Sequence, residues 1–492
     1  MEGVVRSGYK IVTAICLIAF TAIGLSGCGK KSVSSSNANK TTLTIWRAAD
    51  NDESFQDIIK AYQQQNPNVV VNYVYNAEWK NNPDLYLQQS IDALATGKGP
   101  DIWSIRNDWM TGQYLKLRPV PKDTLSKYTS GDTFKGKSNK EILSSLFVPV
   151  VSTNCLIGDD VYGLPLSVDS LALYINQNIL DNAADELSQS NKTTKKLLPD
   201  DLSKIKKILS NGPKDWTELV TIVPYITTKN GNNISRSAVA LGLGSNIEQA
   251  PDIISTLLLQ NGTKIVTDDD KSAYFQNAQG GVSTPSYPGQ GAIKFYTRFS
   301  NAKDPLYSWN TDFASSARQA FLDGKLAMIF EDSSFYATIK ASKIKFTSNI
   351  IPMPQLDTET PKSYASYWVE AVTNNSKVPG LAWDFLEFAT TSSNVGSYLS
   401  NTKRPPALAA RSTTFQQDLT QQAVFTAQAT VAQTWFKGPY PNQTDQIFRN
   451  WADNIAIGGK SVQEATNTAA GQLTTILQRS SLINPTEANP PT

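Results

Sequence analysis

The chain has 492 residues, with 45 Lys and Arg against 43 Asp and Glu, ten Trp, nineteen Tyr, three Cys and no His. The missing histidine excludes a Ser-His-Asp triad, a Cys-His pair and every His-ligated metal site. The balanced charge, broken only by short basic runs such as Lys195-Lys196 and Lys204–Lys207, argues against a nucleic-acid partner.

Arg6 and Lys10 open the chain, and Ile11–Leu25 carries no charge. That run is shorter than the ~20 apolar residues a spanning helix needs. It reads as the core of a secretory signal covering 1–27 and is left out of the fold. It ends in Leu25-Ser26-Gly27-Cys28, an apolar residue and two small ones before a cysteine. This resembles a bacterial lipobox, which implies cleavage before Cys28 and acylation of its thiol. Residues 28–42 are mostly Lys, Ser, Asn and Thr, which cannot bury a core and so form a tether. The folded part is therefore expected outside the cell membrane, held to it through Cys28. With the signal removed only Cys155 remains unmodified, so no disulfide framework is available. Cys155 sits among Leu and Val and reads as a small core residue.

The remainder is too long for one core and natural for two lobes. Leu43–Trp46 reads as a strand. Asp52–Gln65 places Phe55, Ile58, Ile59 and Tyr62 on one helical stripe, stopped by Asn66-Pro67. Val69–Tyr75 is β-branched and aromatic, so a β-α-β unit opens the fold. Leu85 to Ala95 gives a second helix and Asp101–Ile105 another strand. Residues 119–145 read as surface loop with short helices, and Val161–Tyr174 as extended chain. Asp181–Asp215 reads as a solvated helical insertion. Helices are expected at Trp216–Thr228, Pro251–Gln260, Ala292–Ser300, Ala314–Asp323 and Leu381–Thr390. Asp268–Gln290 reads as loop, Lys325–Phe330 and Val369–Val372 as strands, and Gln443–Gln478 as mostly helix. The end, 481–492, reads as a disordered tail. Alternating strands and helices predict an α/β fold.

Gly131–Ser138 matches the spacing of a phosphate-binding loop, but no apolar strand precedes it, and the match reads as chance. Ser203-Lys204-Ile205-Lys206 lacks the companion motifs of penicillin-interacting enzymes. A distributed pattern is stronger. Gly99–Trp103, Tyr162–Pro165 leading into Leu171–Asn176, Phe321–Met328, Asn375–Lys377 with Ala382–Leu386, and Gly458–Ala465 stand in an ordered series. Together they resemble the extracellular solute-binding protein family 1, the maltose-binding-like lipoproteins of ABC importers. The resemblance runs from Leu43 to about Leu477.

That resemblance implies a two-lobed periplasmic-binding-protein-like fold of class II, each lobe a mixed sheet flanked by helices, with a hinge between. The first lobe is expected over 43–168 with about 372–415 returning to it, the second over 169–371 with about 416–480. Ligands of open α/β sheets sit beyond the carboxyl ends of strands. By motif position Asp50, Asp108 and Asp169 fall where relatives place polar sugar contacts. Trp46, Asn107, Trp109, Asp332, Ser333, Tyr367 and Trp368 join them, with Asn246 and Arg404 as outlying candidates. Ser366 and Tyr367 stand where relatives often carry two glycines. A carboxylate accepting from a sugar hydroxyl beside a ring on the sugar's C–H face is the expected chemistry. The implied function is capture of a carbohydrate, an oligosaccharide above all, by a monomer that closes its hinge and docks on a membrane permease, with no cofactor, metal or catalysis. The alternatives are the same fold holding a peptide or polyamine, a secreted glycosidase with paired carboxyls, and a surface adhesin.

Overall fold

The computed structural model describes residues 40–479, apart from 123, 126–131, 281–284, 392 and 413–422. The signal, Cys28, most of the tether and the tail 481–492 lie outside the described residues. From Thr41 on, the main strands are β1 (Thr41–Arg47), β2 (Val69–Tyr75), β3 (Ile102–Arg106), β4 (Leu117–Arg118), β5 (Ala172–Asn176), β6 (Thr228–Asn230), β7 (Asn233–Val239), β8 (Leu326–Glu331), β9 (Ser348–Ile351) and β10 (Trp368–Thr373). They make two five-stranded sheets, ordered β2-β1-β3-β10-β4 and β9-β5-β8-β7-β6.

In the first sheet β1 runs parallel to β2 and β3, while β10 returns antiparallel to β3 and β4. The expected β-α-β unit is present. Its helix, Gln56–Gln65, buries Ile58, Ile59 and Tyr62 and stops at Asn66. The ring of Tyr62 meets Phe385 and Phe388 of the helix Pro379–Thr390 edge-on, so a segment more than 300 residues away seals the first core. Ile102, Trp103 and Ile105 of β3 are all buried, as a central strand covered on both faces requires. Cys155 belongs to this core.

The second sheet is also mixed: β8 runs parallel to β7 and antiparallel to β5. Its core gathers β5 and β8 with the helices Trp216–Ile226, Ala250–Gln260, Pro288–Thr297, Pro441–Ala456 and Val462–Gln478. The insertion read as solvated is two helices, Gln177–Thr194 and Pro199–Asn211, and each commits a face to this core through Ile179, Leu180, Ala183, Ile205 and Leu209. The expected helix Ala314–Asp323 shortens to Ala317–Leu322, because the Ser316 side chain caps it by accepting from the Gln319 N–H.

Three passes of chain join the sheets. Leu164 bridges Glu370, Ser167 bridges Pro406 and Ser170 bridges Ala365. Ser363–Tyr364 pairs parallel with Ala432–Gln433 on the third pass. There Phe425 and Trp435 pack in the second core, while Ala429 and Ala432 between them pack in the first. The chain is back in the first sheet at Trp368, ahead of the crossing near 372 expected from sequence.

Candidate functional site

A cavity of about 470 Å³ opens between the lobes at the carboxyl ends of β1, β3 and β8. The first lobe contributes Ala48–Asp50 after β1, Arg106 closing β3, Ser366-Tyr367-Trp368 entering β10, and Arg404. The second contributes Glu248, Gln249, Pro251 and Asp252 at the start of helix Ala250–Gln260, Asp332, Ser334 and Phe335 after β8, and Arg318, Asp445 and Arg449. This is where open α/β sheets leave backbone donors and side chains unclaimed by secondary structure.

Asp50 holds the hinge side of the cavity. It adopts a left-handed backbone (φ 65°), which non-glycine residues seldom take and which local structure must impose. The next residue, Asn51, turns into the chain that follows, its Oδ1 accepting from the Ser54 hydroxyl at 2.6 Å. Asp50 instead accepts from Arg404 Nε at 2.6 Å, from Arg47 Nη2 at 3.0 Å and from the Tyr398 hydroxyl at 2.7 Å. Burial pushes its carboxyl up, but the Arg404 and Arg47 guanidiniums outweigh this and hold it at about 2. Arg47 also pairs with Glu370. Arg404 continues to Asp169 at 3.1 Å, and Asp169 accepts from the Ser333 hydroxyl and from the Ser170 N–H at 2.9 Å. Asp50, Asp169, Ser333 and Arg404 thus join the first lobe, the crossing and the second lobe in one buried chain. Arg404, an outlying candidate in the sequence, is enclosed by it. Burial and the nearby Asp332 charge push the Asp169 carboxyl up, against the pull of Arg404.

The opposite side carries a second network. Lys437, on the third pass, is fully buried and reaches Asp445 at 2.6 Å, Asp252 at 3.5 Å and Asp108 at 3.6 Å. Arg106 pairs with Asp108 at 2.7 Å and approaches Asp445 at 3.9 Å. Asp108 and Arg106 belong to the first lobe, Asp252 and Asp445 to the second. Beneath the second-lobe wall Glu331 takes both Nε and Nη2 of Arg318, at 2.6 and 2.7 Å, and the Gln249 amide at 2.9 Å. Burial still pushes the Glu331 carboxyl up to about 7.

The aromatic wall is built in depth. Trp368 is half-buried at the cavity, its ring 5.7 Å from Trp109 and 5.9 Å from Tyr86. Tyr86 leads to Trp79 at 5.1 Å and Trp79 to Trp46 at 5.2 Å. Trp109 is buried and donates its indole N–H across the lobes to Asn442 Oδ1 at 3.3 Å. Asn107 sits behind Tyr367, accepting from its backbone N–H at 2.9 Å, and the Tyr367 hydroxyl donates to Asn154 at 2.9 Å.

Of the residues selected from sequence, Asp50, Asp332, Tyr367, Trp368 and Arg404 line the cavity. Trp46, Asn107, Asp108, Trp109, Asp169 and Ser333 stand behind it, in the networks just described. Asn246 lies elsewhere in the second lobe, accepting from the Trp309 indole at 2.9 Å and donating to the Ala314 carbonyl at 2.8 Å. Arg106, Glu248, Gln249, Asp252, Arg318, Phe335 and Asp445 line the cavity and were not selected. Several of them sit at the end of a strand or the start of a helix, a position the sequence pattern marks for Arg106 and Asp252.

Fold and cavity together define a two-lobed protein with a candidate ligand site between the lobes. The chain belongs to the bacterial extracellular solute-binding protein family, whose model matches residues 57–430. That membership places its work outside the cytoplasm. The maltodextrin-binding protein MdxE of Bacillus subtilis is 22% identical over 484 residues, 96% of this chain and 97% of that one. A binding protein of Brucella abortus is 22% identical over 358 residues, 72% of this chain and 73% of that one. Among solved structures, the sugar-binding protein MalE of Xanthomonas citri superposes with a TM-score of 0.68 at 17% identity, covering 92% of this chain and all of that one. The cyclic α-maltosyl-1,6-maltose binding protein of Arthrobacter globiformis gives 0.65 at 16%, covering 89% and all of that chain. These likenesses show the two-lobed fold.

Proposed function

We propose that the protein captures a carbohydrate, an oligosaccharide above all, in the interlobe cavity and delivers it to a membrane permease of the ABC type. The observation that carries this reading is the composition of the cavity: Trp368, Tyr367 and Phe335 beside carboxylates and guanidiniums at strand ends. Rings cover the C–H face of a sugar while acceptors and donors meet its hydroxyls. The maltodextrin- and sugar-binding relatives support the same ligand class. Two lobes that touch the ligand together favour the closed state in its presence. Acylated Cys28 holds the protein, as a monomer, near the permease.

Intrinsic tryptophan fluorescence of the soluble part tests the ligand class. Mono- and oligosaccharides are titrated beside peptide and polyamine controls. A saturable shift with one sugar class, the sugar being recovered unchanged, is expected. A response to a control alone keeps the fold and overturns the carbohydrate. For the anchor, replacing Cys28 with Ala should release the protein from membranes, and an unchanged membrane fraction would contradict acylation there.

A further inference from the structure

Three guanidiniums of the cavity are already engaged. Arg318 gives Nε and Nη2 to Glu331, and Arg404 spans Asp50 and Asp169. Arg449 gives three hydrogen bonds to the carbonyls of Gly244, Ile247 and Glu248, at 2.7, 2.8 and 2.6 Å. An anionic ligand would find those three guanidiniums satisfied, with Lys80 left at the exposed rim, and would face Asp50, Glu248, Asp252, Asp332 and Asp445 on the same walls.

The acceptors differ. Glu248 is held at two points, its backbone by Arg449 and its Oε1 by the Ser316 hydroxyl. Its Oε2 is buried without any partner. A buried acceptor left unmet costs about 1–3 kcal/mol, so a donor brought to Oε2 would be favoured. The Asp332 carboxylate is held within its own turn through Oδ1, which accepts from the Ser334 N–H at 2.8 Å and the Ser334 hydroxyl. Two carboxylates on one wall therefore present acceptor capacity, one of them rigidly fixed.

Resting on the carbohydrate reading above, we infer that Glu248 is a specificity-determining residue that accepts a hydrogen bond from a ligand hydroxyl or ammonium. The ligand is then a neutral or amino saccharide, and saccharides bearing carboxylate, sulfate or phosphate are rejected. The fixed carboxylate sets this preference, because its position is prepared before the ligand arrives.

The test is calorimetric titration of the full chain with matched neutral, amino and uronic oligosaccharides of equal length. The wild type should bind a neutral or amino member at least about tenfold more tightly than its uronic counterpart. Glu248→Gln keeps the acceptor for Ser316 and removes the charge. It should shrink that preference about tenfold, with Asp332→Asn acting in the same direction and thermal melting confirming that both variants fold. Equal affinity for the uronic ligand, or an unchanged preference in folded Glu248→Gln, would overturn the inference and leave the carbohydrate reading standing. Silence from all three saccharides would overturn both.

Discussion

Trp368 lines the cavity, while Glu331 lies buried beneath its second-lobe wall. The Trp368 ring is backed by Trp109 and Tyr86, so truncating it removes a face of the cavity while leaving the buried rings in place. Trp368→Ala should weaken saccharide binding about tenfold with little change in melting temperature, and calorimetry against the wild type measures both. Glu331 is read through pH. Its carboxyl stands at about 7 in the folded protein, pushed up by burial, against about 4.3 in an unfolded chain. The folded state therefore binds the extra proton between those values. The resulting stabilisation is complete below about pH 4 and is lost as pH rises through 7. Glu331→Gln should flatten the fall in melting temperature between about pH 4 and 7, whereas parallel profiles for variant and wild type would contradict this assignment. Asp169 shifts in the same direction, so part of the slope should remain in the variant.

At the scale of the element, the loop 241–249 is pressed on helix Pro441–Ala456. A Cβ on Gly244 would stand 2.2 Å from the Arg449 carbonyl oxygen, and its N–H donates to Asp453 at 2.7 Å. Gly244→Ala should cost about 1–3 kcal/mol in urea unfolding. Gly471→Ala, where the added methyl meets nothing within 4 Å in the middle of helix Val462–Gln478, should stabilise by up to about 1 kcal/mol. The elements themselves were unevenly legible. β1, the helix after it, β2, β3 and β8 carry clean periodicity or unbroken apolar runs, and they lie where the sequence puts them. The hairpin β6–β7 escaped because Asn233–Val239 mixes Asn, Ser and Arg into a strand paired on both sides. Its turn, Asn230-Gly231 with Gly231 at φ 59°, was the available signal. β9 is four residues long, too short for a period to show. The cavity was legible where a residue ends a strand, as for Asp332. It was obscure where a wall depends on long-range packing: Arg318 reaches it through a helix whose placement only the second core fixes, and Asn246 faces Trp309 instead.

For the whole molecule, the decisive feature is that charged networks join the lobes on two sides of the ligand cavity. Lys437 gathers Asp108 from one lobe with Asp252 and Asp445 from the other. Replacing it with Met would leave three carboxylates around an apolar side chain, so Lys437→Met should cost about 3–5 kcal/mol in urea unfolding. A change below about 1 kcal/mol would deny that the lysine pins this junction. In the proposed closure the lobes would turn about crossings tied by Arg404 and Asp169, and the ligand would supply contacts from both walls. Small-angle X-ray scattering during a saccharide titration tests that claim most directly. The account predicts a radius of gyration that falls saturably, in step with the tryptophan fluorescence change; a bound saccharide with an unchanged radius would contradict capture by closure of the two lobes.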